Sequence, residues 1–319
     1  MKKAHRRDMK KLTFICLPGL DSFLRDIARA LAEEYEVRVK VSNNAPEIRA
    51  AVNDTDIVWL EWANESAITA LSLPEIMGKR VVLRLHSYEA LSGYLPHIAW
   101  EKVNTLVCVA PHMAEICEMM LPGIARRVNM VVIPNGIDLA KHPFTKRAKG
   151  YNIAWVCDIS HKKGPELVPQ VLLPLTIMDD RYHLHIAGAF QEPRYEIYLK
   201  HMFHKMRLEE HVTFHGHLNA EQMEEFWRKQ YYILSCSPHE GHPYNIMEAM
   251  ARGIKPLIHN FYGADKLYPL ELLWNTTADA VKMASDRGYD SKAYREHVIS
   301  RGWTLEAQMA SIRRMLEEL

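Results

Sequence analysis

Short β-rich runs alternate with helix-compatible segments along the whole chain, and the alternation stops once and restarts. The first series is "LTFICL" (12–17), "VRVKVS" (37–42), "DIVWLEW" (56–62), "RVVLRLH" (80–86), "TLVCVA" (105–110) and "MVVIP" (130–134). A helix-like "SFLRDIARALAEEY" follows the first run, with apolar residues at helical spacing. The interruption is "PNGIDLAKHPFTKRAKG" (134–150), rich in Pro, Gly and basic residues, which reads as a linker. The second series is "NIAWVCD" (152–158), "YHLHIAG" (182–188), "VTFHGH" (212–217), "YYILSCS" (231–237) and "KPLIHN" (255–260). Helical patterns close the chain at roughly 276–285, 291–300 and 303–318. Strand and helix in alternation imply parallel sheets with helices on both faces. The expected fold class is therefore α/β, with two doubly wound halves and a cleft between them. In such sheets ligands bind beyond the carboxyl ends of the strands.

Composition supports two globular cores. The chain has 319 residues, of which 48% are hydrophobic and 25% charged. The formal net charge of +1 argues neither for nor against a nucleic-acid partner. Nucleic-acid binding calls for a basic stripe with interleaved aromatics, and outside the tail "KKAHRRDMKK" (2–11) none is present, so no nucleic-acid partner is expected. That tail is itself a candidate contact for anionic lipid, or a solvated terminus. No apolar run approaches the roughly 18–20 residues that span a bilayer. Pro18 and Gly19 cut the first apolar run too short for a signal peptide. The five cysteines form no CxxC pair, and four lie in apolar strand-like runs, which fits a reducing, cytoplasmic setting.

The chemistry concentrates in "SCSPHEGHPYNIMEAMARGIKP" (235–256), where Glu240 lies in a loop and Glu248 in the first turn of a helix expected to start near Asn245. Backbone N–H groups at a helix N-terminus favour bound phosphate. A carboxylate repels phosphate but accepts hydrogen bonds from sugar hydroxyls. Glu248 can take two ribose hydroxyls and Glu240 those of a second sugar. The spacing alone fits equally a first-turn glutamate favoured by the helix dipole and a loop charge. The 17 histidines invite a metal reading. His183/His185, His215/His217 and His201/His204 lack the Cys or carboxylate companions of a zinc site, so no metal is expected. In the first half, Glu61, Trp62, Glu65, Tyr88, Glu89 and Tyr94 fall just past strand ends, as candidates for a sugar acceptor site or as ordinary core edges.

"EGHPYNIMEAMARGIKPLI" resembles the E-x7-E signature of the family-4 retaining glycosyltransferases, which have the GT-B fold of two Rossmann-like domains with an interdomain cleft. "VVIPNGIDLAKHPF" (131–144), "IAWVCDISHKKGPELV" (153–168), "LHIAGAF" (184–190), "VTFHGHL" (212–218) and "VVLRLHSYEA" (81–90) resemble further segments of that family in the same order. The resemblance implies an N-terminal acceptor domain over 1–142, a linker at 143–150, a donor domain over 151–295 and C-terminal helices over 296–319 that pack back on the first domain. It implies that Glu248 holds the ribose of a nucleotide-sugar, Glu240 meets the transferred sugar, and Gly241, His242, Pro243, Tyr244 and Asn245 line the sugar and diphosphate. Lys163 then neutralises the leaving diphosphate, His86 approaches the donor sugar, and Gly19 lets backbone near the phosphate or acceptor.

Two departures stand out. The family usually has an arginine five residues before that lysine, and this chain has Asp158; many members have a glycine pair where this chain has Gly19 alone. The implied function is retaining transfer of a sugar from a nucleotide-diphosphate-sugar to a carbohydrate or lipid-linked acceptor in polysaccharide or glycoconjugate synthesis. It needs no cofactor beyond that co-substrate and takes place in the cytoplasm or at the inner face of the membrane. A nucleotide-sugar epimerase of the same fold and a catalytically weakened sugar-nucleotide-binding protein are the alternatives.

Overall fold

A computed structural model describes residues 9–286 and 288–319. The chain divides into two compact units: one runs up to Gly136 and includes Leu305–Leu319, and the other is Ile137–Thr304.

The first unit is built on six parallel strands, β1 (Lys11–Cys16), β2 (Glu36–Val41), β3 (Ile57–Glu61), β4 (Arg80–Leu85), β5 (Thr105–Cys108) and β6 (Asn129–Val132), in the order β2-β1-β3-β4-β5-β6. Burial follows position. Every residue of β3 is buried, whereas the edge strands β2 and β6 stay partly exposed. An interior strand of a parallel sheet is covered on both faces, so it reads as an unbroken apolar run. Asn44 and Asn64 start the crossover helices Ala45–Asn53 and Glu65–Ser72, their side chains accepting from Glu47 N and Ser66 N. The final helix, Leu305–Glu317, sets Met309, Ile312, Met315 and Leu316 against a cluster containing Leu12, Phe14, Trp59 and Ile133. Burying side chains of this kind contributes about 1.5–3 kcal/mol each. Gly136 N donates to Gln308 Oε1 at 3.1 Å and fastens the same helix to the end of β6's exit.

The second unit repeats the plan with β7 (Asn152–Val156), β8 (His183–Ala187), β9 (Val212–Gly216), β10 (Tyr232–Ser235), β11 (Lys255–His259) and β12 (Leu273–Trp274), ordered β12-β11-β10-β7-β8-β9 and parallel throughout. Side chains alternate between the two faces, as strand geometry demands. Ile153 and Trp155 join a cluster with Leu172, Leu184 and Leu234, while Ala154 joins Phe226, Trp227, Ile233 and Ala249. The chain builds outward from β7 to β9 and then returns to the other side of β7 with β10. The gap beyond the carboxyl ends of β7 and β10 is therefore the topological switch point, where doubly wound sheets bind ligands.

The segment expected as a linker at 143–150 is pinned within the second unit. Thr145 N donates to Arg252 O at 3.3 Å and Arg147 N to Ser291 Oγ at 2.7 Å. Gly253, at φ +79°, lies so close to this segment that an added Cβ would stand 2.7 Å from Thr145 O. The helix Ser291–Ser300 also belongs to this unit, so of the residues 296–319 only those from Leu305 onward join the first unit. Most of the basic run 2–11 lies outside the described residues, and its lipid contact with it. Among the described residues no helix is long and apolar enough to cross a membrane.

Candidate functional site

Lys163 and Glu240 meet at the switch point. The loop after β7 folds into a 3-10 turn, His161–Lys163, ended by Gly164 in the left-handed region at φ +58°. A Cβ on Gly164 would stand 2.1 Å from Cys236 O, so only glycine lets this loop press on the exit of β10. The result is direct contact: Lys163 Nζ donates to Glu240 Oε1 at 2.5 Å, and Ser237 Oγ donates to the same oxygen at 2.7 Å. The Lys163 and Glu240 side chains remain 26% and 12% exposed, so the pair is sheltered yet reachable. Burial pulls the Lys163 ammonium down, but the Glu240 carboxylate, with Cys157 and Asp158 beside it, pulls up more strongly and the net shift is upward. Lys163 is therefore a fixed cation at neutral pH. Exposed Asp158 adds to the same upward pull, so it lies within the field of Lys163.

The helix Tyr244–Ala251 begins beside this pair. Its N-cap is Pro243, which makes no side-chain cap, and Asn245 Oδ1 accepts from Ile246 N at 2.9 Å. Pro243 has no N–H, so of the run Gly241 to Tyr244 it alone supplies no backbone amide. Asn245 Nδ2 donates to Val156 O at 2.8 Å, which ties the start of the helix to the last residue of β7. The positive end of the helix dipole thus faces the switch point. Gly241 is buried, and the buried His242 packs edge-on to Trp303 at 4.6 Å between ring centres.

One turn into the helix, Glu248 occupies a separate polar nest. His142 Nε2 lies 3.9 Å from Glu248 Oε1. Arg252 Nη1 hydrogen-bonds His142 Nδ1, and Arg252 Nη2 donates to Glu224 Oε2 at 2.7 Å and to Lys141 O at 3.1 Å. Burial pushes the Glu248 carboxyl up to about 7, with Arg252 pulling the other way. Burial, then Arg252, push His142 down to about 3, so its ring is neutral.

In the first unit, Gly19 sits in the turn after β1 at φ +82°, with open space around its Cβ position. His86, just past β4, is 5% exposed. Its Nε2 hydrogen-bonds Glu61 Oε1 at 2.7 Å, and its ring stacks on Trp62 at 3.9 Å. Glu61 is fully buried and also accepts from Arg84 Nη1 at 3.1 Å and Trp59 Nε1 at 2.8 Å. Glu89, equally buried, accepts from the N–H groups of Ala63, His86 and Ser87. Both carboxylates face inward and hold the loops after β3 and β4, which removes them as acceptor contacts. Trp62, at φ +73°, is held in strained backbone between them. Exposed Glu65, accepting from Tyr94 OH at 2.5 Å, remains at the surface.

Sequence reasoning missed Ser237, Glu61 as the partner of His86, and the His142–Arg252 pair. Ser237 was visible as a hydroxyl three residues before Glu240. His142 carried no signal, because it lies in a stretch without periodicity. The alternating histidines do meet: His185 Nδ1 lies 3.1 Å from His215 Nε2, and His183 Nε2 bonds Thr213 Oγ1 at 2.8 Å. Among the described residues no group of three or more His, Cys, Asp and Glu side chains is placed to hold a metal ion.

Solved structures share this architecture. Anabaena Alr3699/HepE, crystallised with UDP, superposes with a TM-score of 0.79 at 15% identity, covering 97% of this chain and 100% of that one. The lipopolysaccharide outer core galactosyltransferase WaaB gives 0.69 at 14% identity, covering 97% and 100%. S. aureus TarM gives 0.68 at 12% identity over 85% of this chain, which spans 58% of TarM's length. No curated protein matches the sequence. Two six-stranded parallel sheets flanked by helices give the chain the GT-B fold of these structures. Residues 138–268 match the model of the glycosyl transferases group 1, in agreement with the E-x7-E resemblance.

Proposed function

We propose that the protein moves a sugar from a uridine-diphosphate-sugar to a carbohydrate or lipid-linked acceptor, with retention at the anomeric carbon. The observation that carries this reading is the Lys163–Glu240 pair at the β7/β10 switch point, with Glu248 on the helix that leaves it. HepE, whose structures contain UDP and UDP-glucose, supports uridine as the base.

Each residue has a task that its surroundings suit. Glu248 accepts ribose hydroxyls. The helix start at Tyr244 and Asn245, with Gly241 nearby, faces the diphosphate. Lys163 exchanges Glu240 for the diphosphate as negative charge grows on the leaving oxygen, the kind of fixed stabilisation that dominates such reactions. Glu240, released, takes hydroxyls of the transferred sugar. The bond from the anomeric carbon to the diphosphate breaks, the acceptor hydroxyl bonds to the same face, and its proton passes to the leaving phosphate. His86, held by Glu61 and Trp62, is assigned to the donor sugar, and Gly19 to the phosphate or acceptor. Surface polysaccharide or glycoconjugate synthesis on the cytoplasmic side of a membrane is the setting this reaction fits.

Asp158 favours a second reading, binding without transfer, because a carboxylate in the field of Lys163 opposes an incoming diphosphate. The test is turnover. UDP release from UDP-glucose and other UDP-sugars, measured with a panel of glycan and lipid-phosphate acceptors, supports transfer when it depends on acceptor. UDP-sugar binding with no release supports the second reading, and conversion of the donor without acceptor supports an epimerase.

A further inference from the structure

The nest around Glu248 contains a hydrogen-bond donor as well as an acceptor. His142 Nδ1 faces an Arg252 N–H, and a guanidinium can only donate, so Nδ1 accepts and the ring proton sits on Nε2. Arg252 is anchored from the other side by Glu224 and by Lys141 O, so the ring of His142 is fixed in both tautomer and orientation. The His142 side chain is 11% exposed and that of Glu248 30%, so the space between them opens outward from Glu248. Nε2 and Glu248 Oε1 are 3.9 Å apart, too far to bond each other. A single oxygen can lie about 2.8 Å from both, donating its proton to the carboxylate and accepting from the N–H. That is the pattern of an alcohol: a water-like oxygen with one proton to give and a lone pair to fill.

We propose that His142 is a second ribose-contacting residue, and that one ribose hydroxyl of the nucleotide bridges His142 Nε2–H and Glu248 Oε1. The inference rests on the reading of Glu248 given above and extends it to a residue of the 134–150 segment. It makes the pair a specificity device. A site that pairs a hydroxyl on two sides rejects the analogue that lacks it, because both protein groups are then left unpaired. The neutral ring matters here: His142 supplies a fixed donor with no charge of its own beside the carboxylate. Asp138, Lys141 and Arg295 are the other charged groups acting on His142, along with Arg252.

The experiment is calorimetric titration of the full chain with UDP, 2′-deoxy-UDP and 3′-deoxy-UDP, for the wild type, His142→Phe, His142→Gln and Glu248→Ala. The wild type is expected to bind one deoxy analogue at least ten-fold more weakly than UDP, on the scale of a lost hydrogen bond of about 1.4 kcal/mol. His142→Phe is expected to weaken UDP about ten-fold and to leave that analogue unchanged. His142→Gln, whose amide can donate from nearly the same place, is expected to keep most of the discrimination. Equal losses on UDP and both analogues make His142 merely structural and overturn the inference, as does no loss at all. If His142→Phe keeps the discrimination and Glu248→Ala abolishes it, the ribose reading of Glu248 stands and only the inference falls. If the wild type fails to bind UDP, or binds all three ligands alike, both fall.

Discussion

The two units handle the same ingredients, a basic side chain against a glutamate just past a strand end, in opposite ways. In the second unit Lys163 meets Glu240, with the two side chains 26% and 12% exposed, and Ser237 donates to the same carboxylate oxygen. In the first, Glu61 takes Arg84, His86 and Trp59 at once, with Arg84 1% and Glu61 0% exposed. A carboxylate saturated in the interior cannot exchange partners without a large penalty. A pair at the rim can trade one anion for another. The difference teaches which charges to read as architecture and which as chemistry, and it comes from exposure rather than from residue type.

The largest effect expected from this contrast is structural. Glu61→Ala leaves Arg84 and His86 without their acceptor and should cost about 3–5 kcal/mol, read as a lower midpoint in urea denaturation. Lys163→Ala should do the reverse, with turnover down about 10²–10³-fold and the urea midpoint close to wild type. If Lys163→Ala unfolds the protein while Glu61→Ala does not, the comparison is upside down. Glu248→Ala should weaken UDP by about 1–3 kcal/mol in calorimetry, and unchanged affinity removes its ribose role.

Smaller effects sharpen the picture. Partial burial pushes the Glu248 carboxyl up from its ordinary 4.5 to about 7. An ionised carboxylate accepts two hydroxyls and a protonated one does not, so UDP affinity should rise as pH climbs through about 7. Stability runs the other way. The folded state holds this proton more tightly than the unfolded chain, so the contribution of Glu248 is lost as pH rises from 4.5 through about 7. Glu248→Gln should therefore gain stability relative to the wild type at pH 8 and not at pH 4, as melting curves at the two pH values will show. The mildest change is Glu240→Gln. It frees Lys163 from its counter-ion and should tighten UDP a few-fold while lowering turnover; weaker UDP binding would show that Glu240 does not compete with the diphosphate.

Much of the fold was legible because parallel sheets leave a strong trace. Buried strands such as "TFIC" and "IVWL" read as unbroken β-rich runs, and each expected strand lies within a residue or two of the observed one at its start. The helix at Tyr244 starts one residue before its expected position, and those at 277–285 and 291–300 fall where periodicity put them. The two-residue strand Leu273–Trp274 was missed, since so short an edge carries no period. At the site, alternation placed Lys163 and Glu240 each just past a strand end, and the contact between them came from the convergence of the loops after β7 and β10 at the switch point. What sequence could not show was partnership at long range. Glu61 and Glu89 fitted an acceptor site and an ordinary core edge alike, and only their inward hydrogen bonds revealed buried anchors. Segment 134–150 looked like a free tether, yet it delivers His142 to Glu248.

The central claim is that a uridine diphosphate binds where Lys163 and Glu240 meet. Thermal unfolding of the wild type and of Lys163→Ala, each with and without UDP, tests it most directly. At 100 times its dissociation constant, UDP should add roughly 2.7 kcal/mol to the wild type, and at the same concentration much less to Lys163→Ala. An equal shift in both proteins, or none in the wild type, would contradict it.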